Sequence, residues 1–287
     1  MKSYFDRMSN EDIYKFAKRT IYALLYGSVI LYIAVFFGPL QDNLLVIMGG
    51  ALLIFVMLGV ELYIPRYFSA YFRKVLYSDI DMGRYRDYFD YSYKKANRRQ
   101  KRGALQSTHL ADAQYHYFRG EFEQSLQSLN EIELKKVWWK RRKVLLTSLS
   151  YYRMLNKINQ KDFDDFEDSL ALYRKMKGKN VPERSAKLLA IYRVVSGQAT
   201  DYFEKIAPKY KLHQIEAKYY AALNYLNQNQ PEEAKACFQE IVNENPDLFY
   251  VKEAKKCSVW ENWLEQRNKI NNMSLDPSVA INKEEPI

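Results

Sequence analysis

The sequence predicts an all-α protein in which two membrane-spanning helices precede a larger region of paired helices. Two apolar runs near the N-terminus are long enough to cross a bilayer, and together they contain a single charged residue. Glycine is sparse, at 10 of 287 residues, and helix-forming residues dominate the second half of the chain. From residue 79 onward, apolar residues recur at helical spacing with short breaks between the runs.

The apolar runs cover residues 21–37 and 43–64, and their one charge is Glu61. A spanning helix needs about 20 apolar residues, within a range of roughly 17–25, so both runs qualify. The alternative is a signal peptide followed by a core helix. We disfavour it because the first run is long, rich in tyrosine and lacks a small-residue cleavage site. The linker at 38–42 is short enough to indicate a hairpin.

The charges around the runs predict how the hairpin lies in a cell membrane. The linker carries no Lys or Arg, whereas both outer flanks are basic, with Lys15, Lys18, Arg19, Arg66, Arg73 and Lys74. Basic flanks stay in the cytoplasm, so both chain ends, including the N-terminal segment 1–20, are expected there. Glu61 is either a functional intramembrane acid or, as we favour, an interfacial residue close to Arg66.

Helical spacing predicts a series of helices after the second run. Their approximate ranges are 80–97, 104–119, 121–134, 139–156, 162–177, 182–196, 199–208, 211–228, 231–244 and 247–270. Paired lengths of this kind indicate helical hairpins. Residues 65–103 form a basic juxtamembrane helical region, and the polar residues 268–287 are expected to be a disordered tail.

The stretch IEAKYYAALNYLNQNQPEEAKACFQEIVNENP, residues 215–246, carries a repeat pattern. It resembles the tetratricopeptide repeat, a helix–turn–helix unit of about 34 residues. The matching small, aromatic and terminating positions are Ala222, Tyr225, Ala234, Phe238 and Pro246. The departures from the family pattern are Lys218, Ala221 and Ile241, which stand where tryptophan, leucine and alanine are usual.

Weaker copies of the pattern begin near residues 106 and 162, with Ser125 and Ser169 at the small position, and a degenerate hairpin turns at Gly197. The chain thus resembles tetratricopeptide-repeat proteins with an N-terminal two-span membrane anchor, of the kind found in Gram-positive bacteria. The resemblance implies a cytoplasmic, tetratricopeptide-like α-solenoid of about four stacked helical hairpins over residues 104–267. A generic helical bundle is the alternative.

In this family, the first helix of each hairpin lines a concave face that holds a peptide or a helix. By that correspondence, the predicted partner-binding groove consists of Leu110, Gln114, Tyr117, Phe118, Tyr219, Leu223, Leu226 and Asn227. For Tyr117 and Phe118, a place in the core between helices is an equal alternative.

The sequence predicts no catalytic, cofactor or metal site. His109, Asp112 and His116 share a helix face, but the repeat positions at 109 and 116 normally hold packing residues. Asp79 or Asp81 is expected to cap the helix that follows. No phosphate-binding glycine loop and no nucleophile-elbow motif occurs. An enzyme is therefore not expected.

Two basic stretches lie beside the predicted hairpins. The first predicts contact with anionic lipid headgroups through Lys94, Lys95, Arg98, Arg99, Lys101 and Arg102. The second, KKVWWKRRK at 135–143, is typical of a membrane interface or a nucleic-acid site. We favour a third interpretation, a hairpin connection that buries Trp138 and Trp139 and leaves the cations in solvent. Nucleic-acid binding is disfavoured because no recognition motif occurs.

These features predict a membrane-anchored scaffold or adaptor that captures a protein partner on its cytoplasmic concave face. The alternative is a membrane sensor or regulator whose spans bind another membrane protein and whose solenoid relays its state. Gly49, Gly50 and Gly59 give the second span small surfaces for helix packing, which also allow a homo-oligomer to form through the spans.

Overall fold

A computed structural model describes residues 4–38 and 43–257 of the chain. Over these ranges the regular secondary structure is helical, with no strand among the described residues. The predicted tail at 268–287, and the end of the helix expected over 247–270, lie outside the described residues.

The two apolar runs belong to long helices, α1 (Asn10–Phe37) and α2 (Leu44–Tyr77). The hydroxyl of Ser9 caps α1 by accepting the N–H of Asp12, and the side chain of Asn43 accepts N–H groups in the first turn of α2. Both helices are longer than their apolar runs. At 34 residues, α2 is about 51 Å long, so it extends well beyond the second run.

By length and composition, α1 and α2 could each cross a membrane. Only 11% of the most apolar window of α1 is buried, and only 6% of that of α2, so neither is the core helix of a soluble domain. The two helices approach closely at Gly50, where an added Cβ would lie 2.3 Å from the side chain of Val35. An added Cβ at Gly49 or Gly59 meets nothing within 4 Å, so these two small surfaces are open.

Ten α-helices follow α2 in the described part of the chain, one for each predicted range. They are α3 (Met82–Lys95), α4 (Arg98–Arg119), α5 (Phe122–Asn130), α6 (Trp139–Asn159), α7 (Phe166–Arg174), α8 (Val181–Val195), α9 (Tyr202–Lys205), α10 (Lys211–Asn227), α11 (Pro231–Gln239) and α12 (Phe249–Cys257). Some ends differ from the prediction. α5 and α11 stop early because the chain tightens into turns, in which the N–H of Ile132 donates to Leu129 and that of Ile241 to Phe238.

Consecutive helices pack side by side around one large hydrophobic core, with α4 against α5 and α10 against α11. Two predicted small positions allow this approach. Ala234 is fully buried, and Ser125 is fully buried with its hydroxyl donating to the carbonyl of Ala113 at 2.8 Å. Ser169, the third, is only half-buried. The structure therefore shows sequential helix-pair packing.

Two elements connect the first and last helix pairs. α12 packs against α4 as well as against α10 and α11, and the end of α2 packs against α10. Tyr77, the last residue of α2, contacts the rings of Phe118 on α4 and His213 on α10. The C-terminal end of α2 is thus part of the same core as the helix pairs.

The N-terminal segment folds back onto the base of the apolar helices. Arg84 of α3 donates to the carbonyl oxygens of Phe5 and Met8 at 2.8 and 2.7 Å. Ile13 of α1 packs with Phe68 and Phe72 of α2 in a second, smaller core. The predicted segment 1–20 is therefore helical from Asn10 onward and continuous with α1.

Candidate functional site

Tyr117 of α4 and Tyr219 of α10 belong to an aromatic surface, here called the inner face, against which α12 packs. The ring of Tyr219 on α10 lies 5.5 Å from that of Phe249 and 5.4 Å from that of Tyr250, measured between centroids. The hydroxyls of Tyr250 and of Tyr117 on α4 are 3.3 Å apart. α12 is therefore held between the first and the last helix pair.

Gly120 lets α12 approach the end of α4 closely. It ends α4 with φ at +81°, a left-handed conformation that favours glycine. An added Cβ would also lie 2.9 Å from the ring of Phe249. At this point Lys252 of α12 donates to the carbonyl oxygen of Arg119 at 3.0 Å, which satisfies one of the acceptors left at the end of α4.

Of the eight predicted groove residues, Tyr117 and Tyr219 contact α12. Gln114 accepts from Tyr85 and donates to Tyr152, and Asn227 donates to the carbonyl oxygen of Val194. Five of the eight are buried: Gln114, Tyr117, Phe118, Tyr219 and Leu226. The other three are half-buried: Leu110, Leu223 and Asn227. The sequence left groove and core as equal alternatives for Tyr117 and Phe118, and their burial favours the core. Capture of a partner by these residues stays a prediction.

A polar cluster consists of Lys187 on α8 and of His213 and Glu216 on α10. Lys187 of α8 and Glu216 of α10 form an ion pair, and the side chain of Glu216 is only 3% exposed. The ring of His213 lies 4.8 Å from that of Tyr77, between α10 and the end of α2. The cluster therefore joins α8 and α10 beside the point where α2 enters the core.

Burial sets the protonation of the groups on this face. Together with the positive charge of Lys187, it lowers the pKa of His213 to about 4, so the imidazole is neutral at pH 7. Burial also raises the pKa of Tyr117 and Tyr250 well above the usual range for tyrosine. Both hydroxyls therefore stay protonated, as a hydrogen bond between them requires.

The sequence prediction missed Lys187 and Glu216. A signal for Glu216 was present, because this acid lies between the apolar Ile215 and Ala217 and one turn before Tyr220. An ionised side chain on the apolar face of a helix requires a buried partner. Lys187 is 29 residues away on another helix, so only the fold identifies it as that partner.

Two of the three residues considered for metal binding, Asp112 and His116, have other partners. Asp112 pairs with Arg86 at 2.6 Å, and His116 Nδ1 lies 2.6 Å from the carboxylate of Glu121. No group of three or more His, Cys, Asp or Glu is placed to hold a metal within the described ranges. Asp81 caps α3 by accepting a backbone N–H of its first turn, as predicted for position 79 or 81. That the protein is not an enzyme stays a prediction.

The two cysteines are poor nucleophiles. Both are free; Cys237 is buried and Cys257 is half-buried. Burial raises the pKa of both thiols, that of Cys257 to about 11, so they are protonated at neutral pH.

The six cations predicted to contact lipid are all exposed, at the end of α3 and in the first turns of α4: Lys94, Lys95, Arg98, Arg99, Lys101 and Arg102. Their exposure leaves them accessible to headgroups, and lipid contact stays a prediction. Glu61 is half-buried, and its expected neighbour, the side chain of Arg66, lies outside the described residues.

The favoured interpretation of residues 135–143 was wrong about the tryptophans. Trp138 and Trp139 are 61% and 60% exposed, and Val137 is the residue of this stretch that is buried. α6 begins at Trp139, so the first turns of this helix project from the core, and both indoles project with them.

Comparisons with protein-family models, with curated proteins and with solved structures find no match for this chain.

Proposed function

We propose that the protein is a membrane-anchored adaptor whose cytoplasmic helix pairs bind a helix of a protein partner. The observation that carries this proposal is the inner face, where aromatic residues of α4 and α10 hold the nine-residue helix α12. A surface that holds one short helix through ring contacts and a few hydrogen bonds offers the same contacts to another. The tetratricopeptide-like solenoid is part of this proposal, and the buried small residues between paired helices support it.

The exposed apolar side chains of α1 and α2 support the membrane anchor. Large residues are exposed along both helices, among them Ile30, Leu45 and Phe55 at 67%, 79% and 76%. Soluble monomers rarely expose continuous apolar patches of more than a few hundred Å². The basic flanks then favour a cytoplasmic position for both chain ends and for the helix pairs.

In this proposal α12 competes with the partner for the inner face, as a ligand tethered within the same chain. A competitor within the same chain lowers the partner's apparent affinity by the fraction of time that the face is occupied. Phe249 is the side chain at which a mutation best weakens the contact between α12 and the inner face. It is half-buried against Gly120 and Tyr219, whereas the neighbouring Tyr250 is almost fully buried in the core.

The continuity of α2 favours a second candidate function, a membrane regulator. This helix runs unbroken from its apolar run into the main core, where Leu76 is 1% exposed. Any shift of α2 in the membrane would therefore move core residues directly. The open surfaces at Gly49 and Gly59 leave room for a helix of another membrane protein.

Quantitative capture from native membranes tests the adaptor function. Full-length wild type is compared with Phe249→Ala, which loosens α12, and with Leu223→Glu, which places a charge on the half-buried inner face. Leu172→Glu is the matched control, because Leu172 is 62% exposed on α7, away from the inner face. We expect one membrane or cytoplasmic protein whose recovery rises with Phe249→Ala, falls with Leu223→Glu and is unchanged with Leu172→Glu.

Two results would count against the adaptor. Recovery of only lipids and chaperones by every variant would remove the proposed partner. A partner whose recovery ignores Phe249→Ala and Leu223→Glu but is lost with Gly49→Leu and Gly59→Leu would bind the spans, and would favour the regulator.

Labelling in intact cells tests the proposed topology. A membrane-impermeant maleimide should react with Asn43→Cys at the start of the second apolar run and should reach Glu123→Cys on α5 only after lysis. Both positions are exposed, so protection of Glu123→Cys reports the membrane and not burial. Labelling of Glu123→Cys in intact cells would place the helix pairs outside the cell.

A further inference from the structure

Five helices converge on a cleft of about 560 Å³ beside the ends of the two apolar runs. Its floor is aromatic, since Phe68 and Phe72 are buried and the ring of Tyr88 stacks on Phe72 with centroids 3.6 Å apart. Ile21 of α1 and Ile64 of α2 line it on the side of the apolar runs. The volume is within the range of small-molecule sites, about 300–1,000 Å³.

Three exposed cations line the cleft, Lys18 of α1, Arg73 of α2 and Arg141 of α6. Gln100 of α4 adds an amide, and none of the described lining residues is acidic. The three cations are far apart in sequence, and they meet because α1, α2 and α6 each contribute a side chain to the same cleft. The cleft therefore attracts an anion while its floor excludes water.

The cations lie near the expected level of lipid headgroups. Lys18 precedes the first apolar run by three residues, or about 4.5 Å of helix, and a headgroup layer is about 5–8 Å thick. Arg73 lies about 14 Å beyond residue 64, but helical side chains tilt toward the N-terminus of their helix. On α2 that direction leads back toward the apolar run, so a long arginine side chain can reach the headgroups.

The rim of the cleft has the composition of a membrane interface. Trp138 and Trp139, which are exposed, precede Arg141 in the chain, and Gln100 lies within the exposed basic stretch at 94–102. Tryptophan and basic residues both favour the headgroup layer. The sequence alone did not predict this grouping, because it depends on Arg141 of α6 lining the same cleft as Lys18 of α1.

We propose that this cleft binds one anionic phospholipid. The lipid phosphate lies against Lys18, Arg73 and Arg141, and the upper acyl chains lie along Ile21 and Ile64. An occupant of this cleft needs an anionic part at the membrane surface and an apolar part that continues into the bilayer, and an anionic phospholipid has both. The inference rests on α1 and α2 lying in a membrane and is independent of partner capture by the inner face.

Native mass spectrometry of the full-length chain in a neutral detergent tests the site. Phosphatidylglycerol and phosphatidylcholine are titrated separately, and the lipid retained per chain is counted. The cleft variant is Lys18→Gln/Arg73→Gln/Arg141→Gln. The matched control, Lys175→Gln/Lys177→Gln/Lys179→Gln, removes the same charge from exposed positions after α7 that neither line the cleft nor belong to the basic stretch at 94–102. Ile64→Trp fills the apolar side without changing charge.

We expect one phosphatidylglycerol per chain, retained in preference to phosphatidylcholine. Each cation near a membrane surface contributes about fivefold to binding, so the cleft variant should lose roughly a hundredfold in affinity. The control variant should lose less than about threefold, and Ile64→Trp should weaken binding of both lipids. If the triple variant loses helicity, the single substitution Arg141→Gln, in the exposed first turn of α6, should still lose about fivefold.

Three results would overturn the proposal. Equal losses in the cleft and control variants would indicate general surface attraction. Equal retention of the two lipids would remove the anionic specificity. Displacement of phosphatidylglycerol by an equal concentration of soluble glycerol phosphate would indicate a simple anion site without an acyl subsite. Partner capture measured on the same variants should be unchanged, so failure of the lipid site and failure of the adaptor function are distinguishable.

Discussion

Gly120 controls the contact between the two ends of the helix pairs. It combines a left-handed backbone with the absence of a side chain where Phe249 packs, and the two requirements can be separated by mutation. Gly197 provides the comparison, because it has the same left-handed conformation at φ +87° but open space around its Cβ position.

We predict that Gly120→Ala destabilises the protein more than Gly197→Ala. Both should lose about 1–2 kcal/mol of unfolding free energy to backbone strain. Gly120→Ala should lose about 1–3 kcal/mol more, because the new methyl group overlaps the ring of Phe249. Thermal unfolding of the full-length variants in detergent measures the difference. Equal losses would show that α12 does not pack against the end of α4 as described.

His213 makes the stability of the helix pairs depend on pH. Its pKa is about 4 in the folded chain, against an ordinary value of 6.5, so between these values the unfolded chain binds more protons than the folded chain. Stability therefore falls as pH falls through this window and is insensitive to this group above about pH 7. From about pH 7.5 to about pH 5, the melting temperature of His213→Gln should fall less than that of wild type. Parallel curves for the two proteins would contradict the assignment.

At the scale of elements, α2 belongs both to the apolar hairpin and to the core of the helix pairs. Its apolar run ends near residue 64, yet Leu76 and Tyr77 are packed among α4 and α10. A fragment that starts at Asp79 would therefore lack part of its own core. Such a fragment is therefore a poor test of whether the helix pairs bind a partner without α1 and α2.

We predict that Leu76→Ala destabilises the helix pairs by about 2–5 kcal/mol, the usual range for a buried leucine. Leu53→Ala removes the same atoms from an exposed position in the apolar part of α2 and is the matched control. Hydrogen exchange in α10 should accelerate in Leu76→Ala and stay unchanged in Leu53→Ala. Equal exchange in the two variants would contradict a shared core.

The elements themselves could be predicted largely from sequence. Each of the ten helical ranges after the second run contains an α-helix, because apolar spacing and breakers such as Gly197 and Pro231 are local signals. Helix ends were less accurate, since turns such as the one after Asn130 depend on i→i−3 bonds that have no clear sequence signature. The exposure of Trp138 and Trp139 was missed because it depends on how far α6 projects from its neighbours.

At the scale of the whole molecule, the sequence predicted that Tyr117 and Tyr219 line a groove, but it did not predict that α12 packs against them. Tyr219 and Leu223 were placed on the first helix of a hairpin by their repeat positions alone. That α12 returns to pack against Tyr219 depends on contacts between residues far apart in the chain, such as the pair Tyr117 and Tyr250, 133 residues apart. The cleft lined by Lys18, Arg73 and Arg141 was missed for the same reason, because Arg141 is distant in sequence from the apolar runs.

The central claim is that the inner face binds a helix, with α12 as its present occupant. The most direct test is binding of a fluorescent peptide with the sequence of residues 247–257 to the full-length chain. We predict saturable binding of one peptide per chain to Phe249→Ala, at least about tenfold tighter than to wild type, because the tethered copy competes less. Adding Leu223→Glu should abolish binding, and adding Leu172→Glu should not. No binding to Phe249→Ala, or equal binding to every variant, would contradict the account.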